Sequence, residues 1–236
     1  MDKKEQNKLI SYFIMGDGGV YRQRSKTGKG FMNAKFIMNM KQEHIDYIKE
    51  FEDLIDFTSV TTKIRKDYNT DNCIRQPQYR TWTGNHPRFT AYWERIYTNK
   101  YKGLDPIYIK QLDWHSLAIL YMSDGSLGEY LRSEIGMQNK SYSITLNMKR
   151  LSYGDLELLG KYLTKNLGLY WSINRQNQYY YLRFKMKSFK KLMEGMEPFI
   201  HPSFKYKIRT FNPSIEGDEI VCTSLGNGES GRNDRA

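Results

Sequence analysis

The feature that most constrains this fold is an internal repeat. Leu9-Ile10-Ser11-Tyr12-Phe13-Ile14-Met15-Gly16-Asp17-Gly18-Gly19 is answered by Ser116-Leu117-Ala118-Ile119-Leu120-Tyr121-Met122-Ser123-Asp124-Gly125-Ser126, with Asp17 and Asp124 107 residues apart. Each word reads as an apolar helix stopped at Asp-Gly. Asn39-Met40-Lys41 returns as Asn147-Met148-Lys149, and Lys100-Tyr101-Lys102 as Lys205-Tyr206-Lys207, in the same order and at nearly the same spacing. Asp-Gly after one helix is an ordinary turn. Two copies inside an ordered set of echoes point to a duplicated structural unit.

The segments between the echoes agree. Helical periodicity runs from about Glu43 to Ile55, with Ile45, Ile48, Phe51, Leu54 and Ile55 on one face. It recurs from Tyr153 to Leu167, with Leu156, Leu159, Tyr162, Leu163 and Leu167 on one face. Alternating stretches at Phe57–Tyr68 and Gln78–Gly84 are matched by Leu169–Arg175 and Tyr179–Met186, the latter pair joined by a polar turn at Gln176-Asn177. The predicted order is αββαββα, twice. The class is α+β, with a first repeat over 1–105, a second over 106–215, and a polar, Gly-rich tail over 216–236.

Charge narrows the partner. Lys and Arg number 37 against 26 Asp and Glu, a net charge of +11 and a pI near 9.4. A folded chain this basic meets a polyanion, and nucleic acid is favoured over a membrane surface because no basic amphipathic helix stands out. No run approaches the roughly 18 apolar residues of a membrane span. The N-terminus Met1-Asp2-Lys3-Lys4-Glu5-Gln6 lacks the apolar core of a secretory signal. The expectation is an intracellular protein, cytoplasmic or organellar, and not a secreted one. Cys73 and Cys222 form no Cys-x-x-Cys pair, and His44, His86, His115 and His201 are scattered, which argues against a structural zinc site. Gly28-Lys29-Gly30 lacks the full phosphate-loop spacing and reads as a hairpin turn. Asn139-Lys140-Ser141 has the form of a glycosylation sequon, without meaning in a chain that is not secreted.

Two apolar helices ending in Asp-Gly, in a basic chain of this length, resemble the LAGLIDADG motif. Ile10–Gly18 and Leu117–Gly125 fill its nine positions. The final Asp-Gly is kept in both. Tyr12 and Ile119 replace the middle glycine, implying altered helix packing, and Met15 and Met122 replace the earlier aspartate. The resemblance extends over roughly residues 8–210 and is closest to the monomeric, two-repeat, intron-encoded homing endonucleases. It implies that the two motif helices pack on a pseudo-two-fold axis between saddle-shaped antiparallel sheets, with Ser11, Gly16, Ala118 and Ser123 allowing close approach.

The resemblance further implies that Asp17 and Asp124 hold two or three Mg²⁺ ions shared between two active sites, with Gly16 and Ser123 contributing to the metal shell. Lys102 and Lys207 become the basic residue of each site, Lys207 matching the family pattern more closely. Each sheet would then lie in the major groove of double-stranded DNA. The polar side chains assigned to that contact are Arg22, Arg24, Lys35, Lys63, Arg65, Gln78, Arg80 and Trp82 in the first repeat. In the second they are Arg132, Asn139, Lys140, Arg175, Gln176, Gln178 and Arg183. The implied activity is a double-strand break in a long DNA site. The alternative is a maturase binding its own intron RNA, or a DNA-binding regulator without catalysis. Retention of both aspartates favours cleavage.

Overall fold

The structure is a computed structural model that describes residues 1–25, 27–65, 77–98, 101–134 and 137–209, with side chains outside 130–141. The expected tail beyond 216, Lys26, Tyr68 and Lys100 lie outside the described residues. In chain order the first half holds α1 (Lys3–Met15), β1 (Gly18–Tyr21), β2 (Lys35–Lys41), α2 (Ile45–Asp53), β3 (Val60–Arg65), β4 (Gln78–Thr83) and α3 (Pro87–Ile96). A short hairpin follows, β5 (Tyr97–Thr98) with β6 (Tyr101–Lys102). The second half holds α4 (Trp114–Asp124), β7 (Gly125–Glu134), β8 (Met137–Leu146), α5 (Tyr153–Leu167), β9 (Trp171–Gln176), β10 (Tyr179–Phe184) and α6 (Phe189–Met196). Each half is αββαββα, and each forms one antiparallel four-stranded sheet, ordered β1-β2-β4-β3 and β7-β8-β10-β9.

Local chemistry fixes these elements. Asp2 caps α1 by accepting from the Glu5 amide, and Asp113 caps α4 by accepting from the Ser116 amide. Lys8 ties the two starts together, pairing with Glu5 and with Asp113. Helix α5 opens on a reciprocal capping box between Ser152 and Asp155 and stops at Gly168, whose φ of 63° lies in the left-handed region. The Gly28-Lys29-Gly30 stretch is a turn, as its spacing predicts, with Gly30 at φ 88° and its carbonyl accepting from the Ser25 amide.

Period-2 alternation gives each sheet one apolar face. Phe36, Met38, Met40, Thr81 and Thr83 are buried beneath the first sheet, where Phe36 stacks on Phe51 of α2 at 4.2 Å and faces Phe89 of α3 at 6.2 Å. Tyr142, Ile144, Leu146, Leu182 and Phe184 do the same beneath the second, where Tyr142 stacks on Phe189 of α6. Between the halves lie α1 and α4. Leu9–Met15 and Leu117–Met122 are buried on every side, as expected of helices enclosed by a core. The two meet at their C-terminal ends, where a Cβ on Gly16 would collide with Ser123 Oγ. Tyr12, at the expected glycine position, is fully buried and donates its hydroxyl to the Tyr108 carbonyl in the connection between repeats. Ser11 has a further contact: its hydroxyl donates to Asp105.

Candidate active site

Both motif helices end on acids. Asp17 follows the cap residue Gly16 of α1, and Asp124 is the last residue of α4. An acid at a helix C-terminus opposes the helix dipole, so neither placement serves stability. Close approach of Gly16 and Ser123 brings the two ends together, and the Asp17 amide donates to Ser123 Oγ at 3.2 Å. A single hollow is lined by Gly16, Asp17, Lys102, Ser123, Asp124 and Arg150, with Asn147, Met148 and Lys149 along its rim.

Each lysine serves its own half in the same manner. Lys102 donates to the Gly16 and Gly18 carbonyls around the end of α1. Lys207 donates to the Met122 and Ser123 carbonyls at the end of α4. The Gly16, Met122 and Ser123 carbonyls lie at helix ends, where no further amide of the helix remains to bond them, and a cation there is favourable. The lysines differ in enclosure. Lys102 is buried in β6, whereas Lys207 sits in a 3₁₀ turn over Pro202–Lys207 and is half-buried.

The charges are mutually strained. Burial pushes the Asp124 carboxyl up to about 6, and the neighbouring Asp17 charge adds to this against Lys102, Lys207 and Arg150. Burial also raises Asp17, opposed by Lys207, Lys102 and the Ser123 hydroxyl. Burial draws Lys102 down to about 8, the two aspartates partly restoring it, and Lys207 is lowered for the same reason. An acid whose folded pKa is raised binds its proton more tightly when folded, so its contribution to stability is lost as pH rises. For Asp124 that window runs from the unfolded value of 3.8 to about 6. In metal-free protein the loss is on the order of 2 kcal/mol. Urea unfolding at pH 4 and pH 7 is expected to show Asp124→Asn gaining on the parent chain by about that amount at the higher pH. Equal differences at both pH values would contradict the strained-acid reading.

Strand register sorts the sheet candidates. Lys63, Arg80 and Asn39 lie directly opposite one another across β3, β4 and β2, and so do Arg65, Gln78 and Lys41. Lys35, Ile37, Arg80 and Trp82 line a shallow hollow on this same face, away from the helices. In the second sheet Arg183 and Gln176 share the outer face with Ser172, Asn174 and Tyr181. Arg132 is opposite Asn139, and Lys140 opposite Leu131, in the β7–β8 hairpin; their side chains lie outside the described residues. Arg24 is exposed beside Phe31 in the turn past β1, and Gln178 sits in the turn before β10.

Two of the candidates sit apart from these outer faces. Arg22 lies past β1 and is held toward α3, donating to the Met32 carbonyl, pairing with Glu94 at 3.5 Å and covering Trp93. Arg175 is opposite Tyr180, whose ring meets Tyr153 of α5 edge-on, so Arg175 belongs to the helix side of its strand. Arg150 was not among the expected site residues. It follows the repeated Asn-Met-Lys word, where the first repeat has Gln42, so the echo that marked the duplication also pointed to it.

The model of the LAGLIDADG DNA endonuclease family matches residues 10–192. The chain belongs to this family. Membership makes it a DNA-cleaving hydrolase, and the motif aspartates of the LAGLIDADG words are those that line the hollow. The fold is similar to that of the homing endonuclease I-WcaI bound to its DNA recognition sequence, with a TM-score of 0.67, 22% identity, and coverage of 89% of this chain and 88% of that one. It is also similar to the meganuclease I-AabMI bound to uncleaved DNA, with a TM-score of 0.54, 13% identity, and coverage of 83% and 84%. A single-residue variant of I-DmoI, in complex with its target DNA in the presence of 2 mM Mg, gives a TM-score of 0.51 at 15% identity over 82% and 98% of the two chains. No curated protein matches the sequence. Among the described residues, no helix is long and apolar enough to cross a membrane.

Proposed function

We propose that this LAGLIDADG chain is a monomeric, intracellular homing endonuclease that makes a double-strand break in one long, asymmetric DNA site by Mg²⁺-dependent hydrolysis. One observation carries the reading. Asp17 and Asp124 meet at the ends of two buried helices, between two sheets that each turn a polar, basic face outward. The DNA-bound state of I-WcaI and the Mg-containing complex of the I-DmoI variant support it by similarity of fold.

The donor set suits Mg²⁺. Among the described residues no group of three or more His, Cys, Asp or Glu is arranged to hold a metal, so a dedicated protein cage is absent there. Mg²⁺ is commonly held by one or two carboxylates, with substrate phosphates and waters completing the shell. Asp17 and Asp124 supply those carboxylates; burial raises both, and at Asp124 the Asp17 charge adds to it, a repulsion that a divalent cation between them would relieve. When bound, two or three such ions lower the pKa of an attacking water and stabilise the leaving 3′ oxygen.

The protein's own groups do the rest. Lys102 and Lys207 anchor the helix ends that carry the acids and add positive charge beside the scissile phosphates. Arg150 adds a further cation on the Lys102 side of the hollow. Lys35, Lys63, Arg65, Gln78, Arg80 and Trp82 present one recognition face, and Gln176 and Arg183 belong to the other. Arginine pairs best with guanine and glutamine with adenine in the major groove.

The test is a cleavage selection on a randomised plasmid library, with Mg²⁺ and with EDTA. Cutting at one long site that stops in EDTA is expected. Cutting that persists in EDTA would remove the metal mechanism, and no cutting with Mg²⁺ would remove the endonuclease reading.

A further inference from the structure

The two site lysines are fixed by different means. Lys102 lies in β6, paired with Tyr97 of β5, and the next amide, Gly103, donates to the Ile96 carbonyl at 2.7 Å. Lys207 ends a six-residue 3₁₀ turn that belongs to no strand. Its last residue is tied to its own repeat, where the Tyr121 hydroxyl donates to the Lys207 carbonyl, while its start is docked on the other repeat. Ser203 Oγ lies 3.0 Å from His44 Nδ1 and 2.9 Å from His201 Nδ1. His44 precedes α2 of the first repeat, while His201 and Ser203 open the Lys207 turn.

A backbone amide fixes one tautomer in this network. The Ser203 amide donates to His201 Nδ1, so that nitrogen is an acceptor and the ring carries its proton on Nε2, which faces Glu50 of α2 at 3.7 Å. Ser203 Oγ, within hydrogen-bond distance of both rings, bridges His201 Nδ1 and His44 Nδ1, and His44 Nε2 faces Glu43 at 3.4 Å. The His44–Ser203 link and the His201–Glu50 approach cross the boundary between repeats, while the Ser203–His201 bonds brace the turn itself. Packing follows the same line. His44 stacks on Phe204 at 4.0 Å with the planes 7° apart, and Tyr47 of α2 meets Phe204 edge-on at 5.1 Å. Phe204 lies 5.5 Å beneath the Lys207 ammonium. Tyr47 also touches Phe13 of α1, the helix that leads to Asp17.

We propose that the His44–Ser203–His201 chain is a positioning latch through which helix α2 of the first repeat sets the place of Lys207 in the second. It therefore governs cleavage of one DNA strand, the one whose phosphate lies at Lys207. The strand-specific part rests on the endonuclease reading above; the docking part does not. His44, His201 and Ser203 are positioning residues, acting through Lys207.

Two measurements separate these parts. Hydrogen exchange on the metal-free, DNA-free chain is expected to show amides 204–208 exchanging at least about tenfold faster in Ser203→Ala. Ser203→Thr, which keeps the hydroxyl, should return them to the parent rate, and His44→Ala should reproduce Ser203→Ala. Strand-resolved cleavage of the site recovered by selection should then show nicked circles accumulating in Ser203→Ala. One strand is expected to slow about 10- to 100-fold, the scale of a small misplacement of a catalytic group, with the other within twofold. Unchanged exchange overturns the latch, as does equal slowing of both strands. If the parent chain cuts no DNA, the endonuclease reading fails by itself, and the exchange result alone decides whether the docking holds.

Discussion

Replacing either motif aspartate with asparagine is expected to abolish double-strand cleavage, by roughly 10³-fold or more, while DNA affinity measured in EDTA stays within a few-fold. Asparagine keeps the shape and removes the charge that would bind the cation. The usual objection to such a variant, that it has simply unfolded, is answered by the electrostatics of this site. Asp124 is raised to about 6 by burial and by Asp17, so neutralising either acid relieves strain in the metal-free protein. Asp17→Asn and Asp124→Asn should therefore melt no lower than the parent chain. Single-turnover cleavage on the selected site, with a melting curve for each variant, decides the matter. A well-folded variant that cuts within tenfold of the parent would remove that carboxylate from the mechanism.

Asp105→Ala is expected to cost about 3 kcal/mol of stability, the scale for breaking a buried pair by removing one partner. Asp105 has no exposed surface. It sits three residues past Lys102 in the connection between repeats, and its oxygens take two bonds from Arg95 Nε at 3.1 and 3.3 Å, with one from Arg95 Nη2 at 3.0 Å. The Ser11 hydroxyl of α1 donates to it at 3.0 Å and the Ile107 amide at 2.9 Å. Alanine would leave these donors without an acceptor and free the strand that carries Lys102. At about 2–4 °C per kcal/mol for a chain of this size, the melting temperature should fall by roughly 10 °C. Paired replacement with Arg95→Met should recover part of the loss, because the guanidinium is then no longer stranded. A loss below about 1 kcal/mol for Asp105→Ala would show the cluster to be dispensable.

Much of this architecture is visible in the sequence because it rests on local periodicity. Helix α5 covers Tyr153–Leu167 as its apolar spacing predicts, and β4 and β10 start where alternation starts, at Gln78 and Tyr179. The two aspartates were legible because duplication brought them out. What failed to show was set by contacts between distant residues or by phase. Arg22 is claimed by Glu94, 72 positions away, and nothing in its own neighbourhood announces that partner. Arg175 and Gln176 are adjacent, so alternation allows only one of them on the outer face, and the sequence leaves open which. His44 and His201 look scattered along the chain, yet the fold places Ser203 between them.

The two edge strands are unequal. Strand β1 has four residues and β7 has ten. The first hairpin nevertheless continues past β1, through the Met32–Gln23 and Ser25–Gly30 amide bonds and the Arg24–Phe31 bridge, so the two arms differ less in reach than in regularity. Under the proposed docking, one arm meets the groove as a continuous strand pair and the other through an irregular hairpin end. The two ends would set different side chains against the same bases, so a palindromic duplex would not be read alike by both halves. The same inequality sets the outcome of building symmetric dimers from either half. Two copies of the second would place two regular arms on the duplex, and two copies of the first two irregular ones.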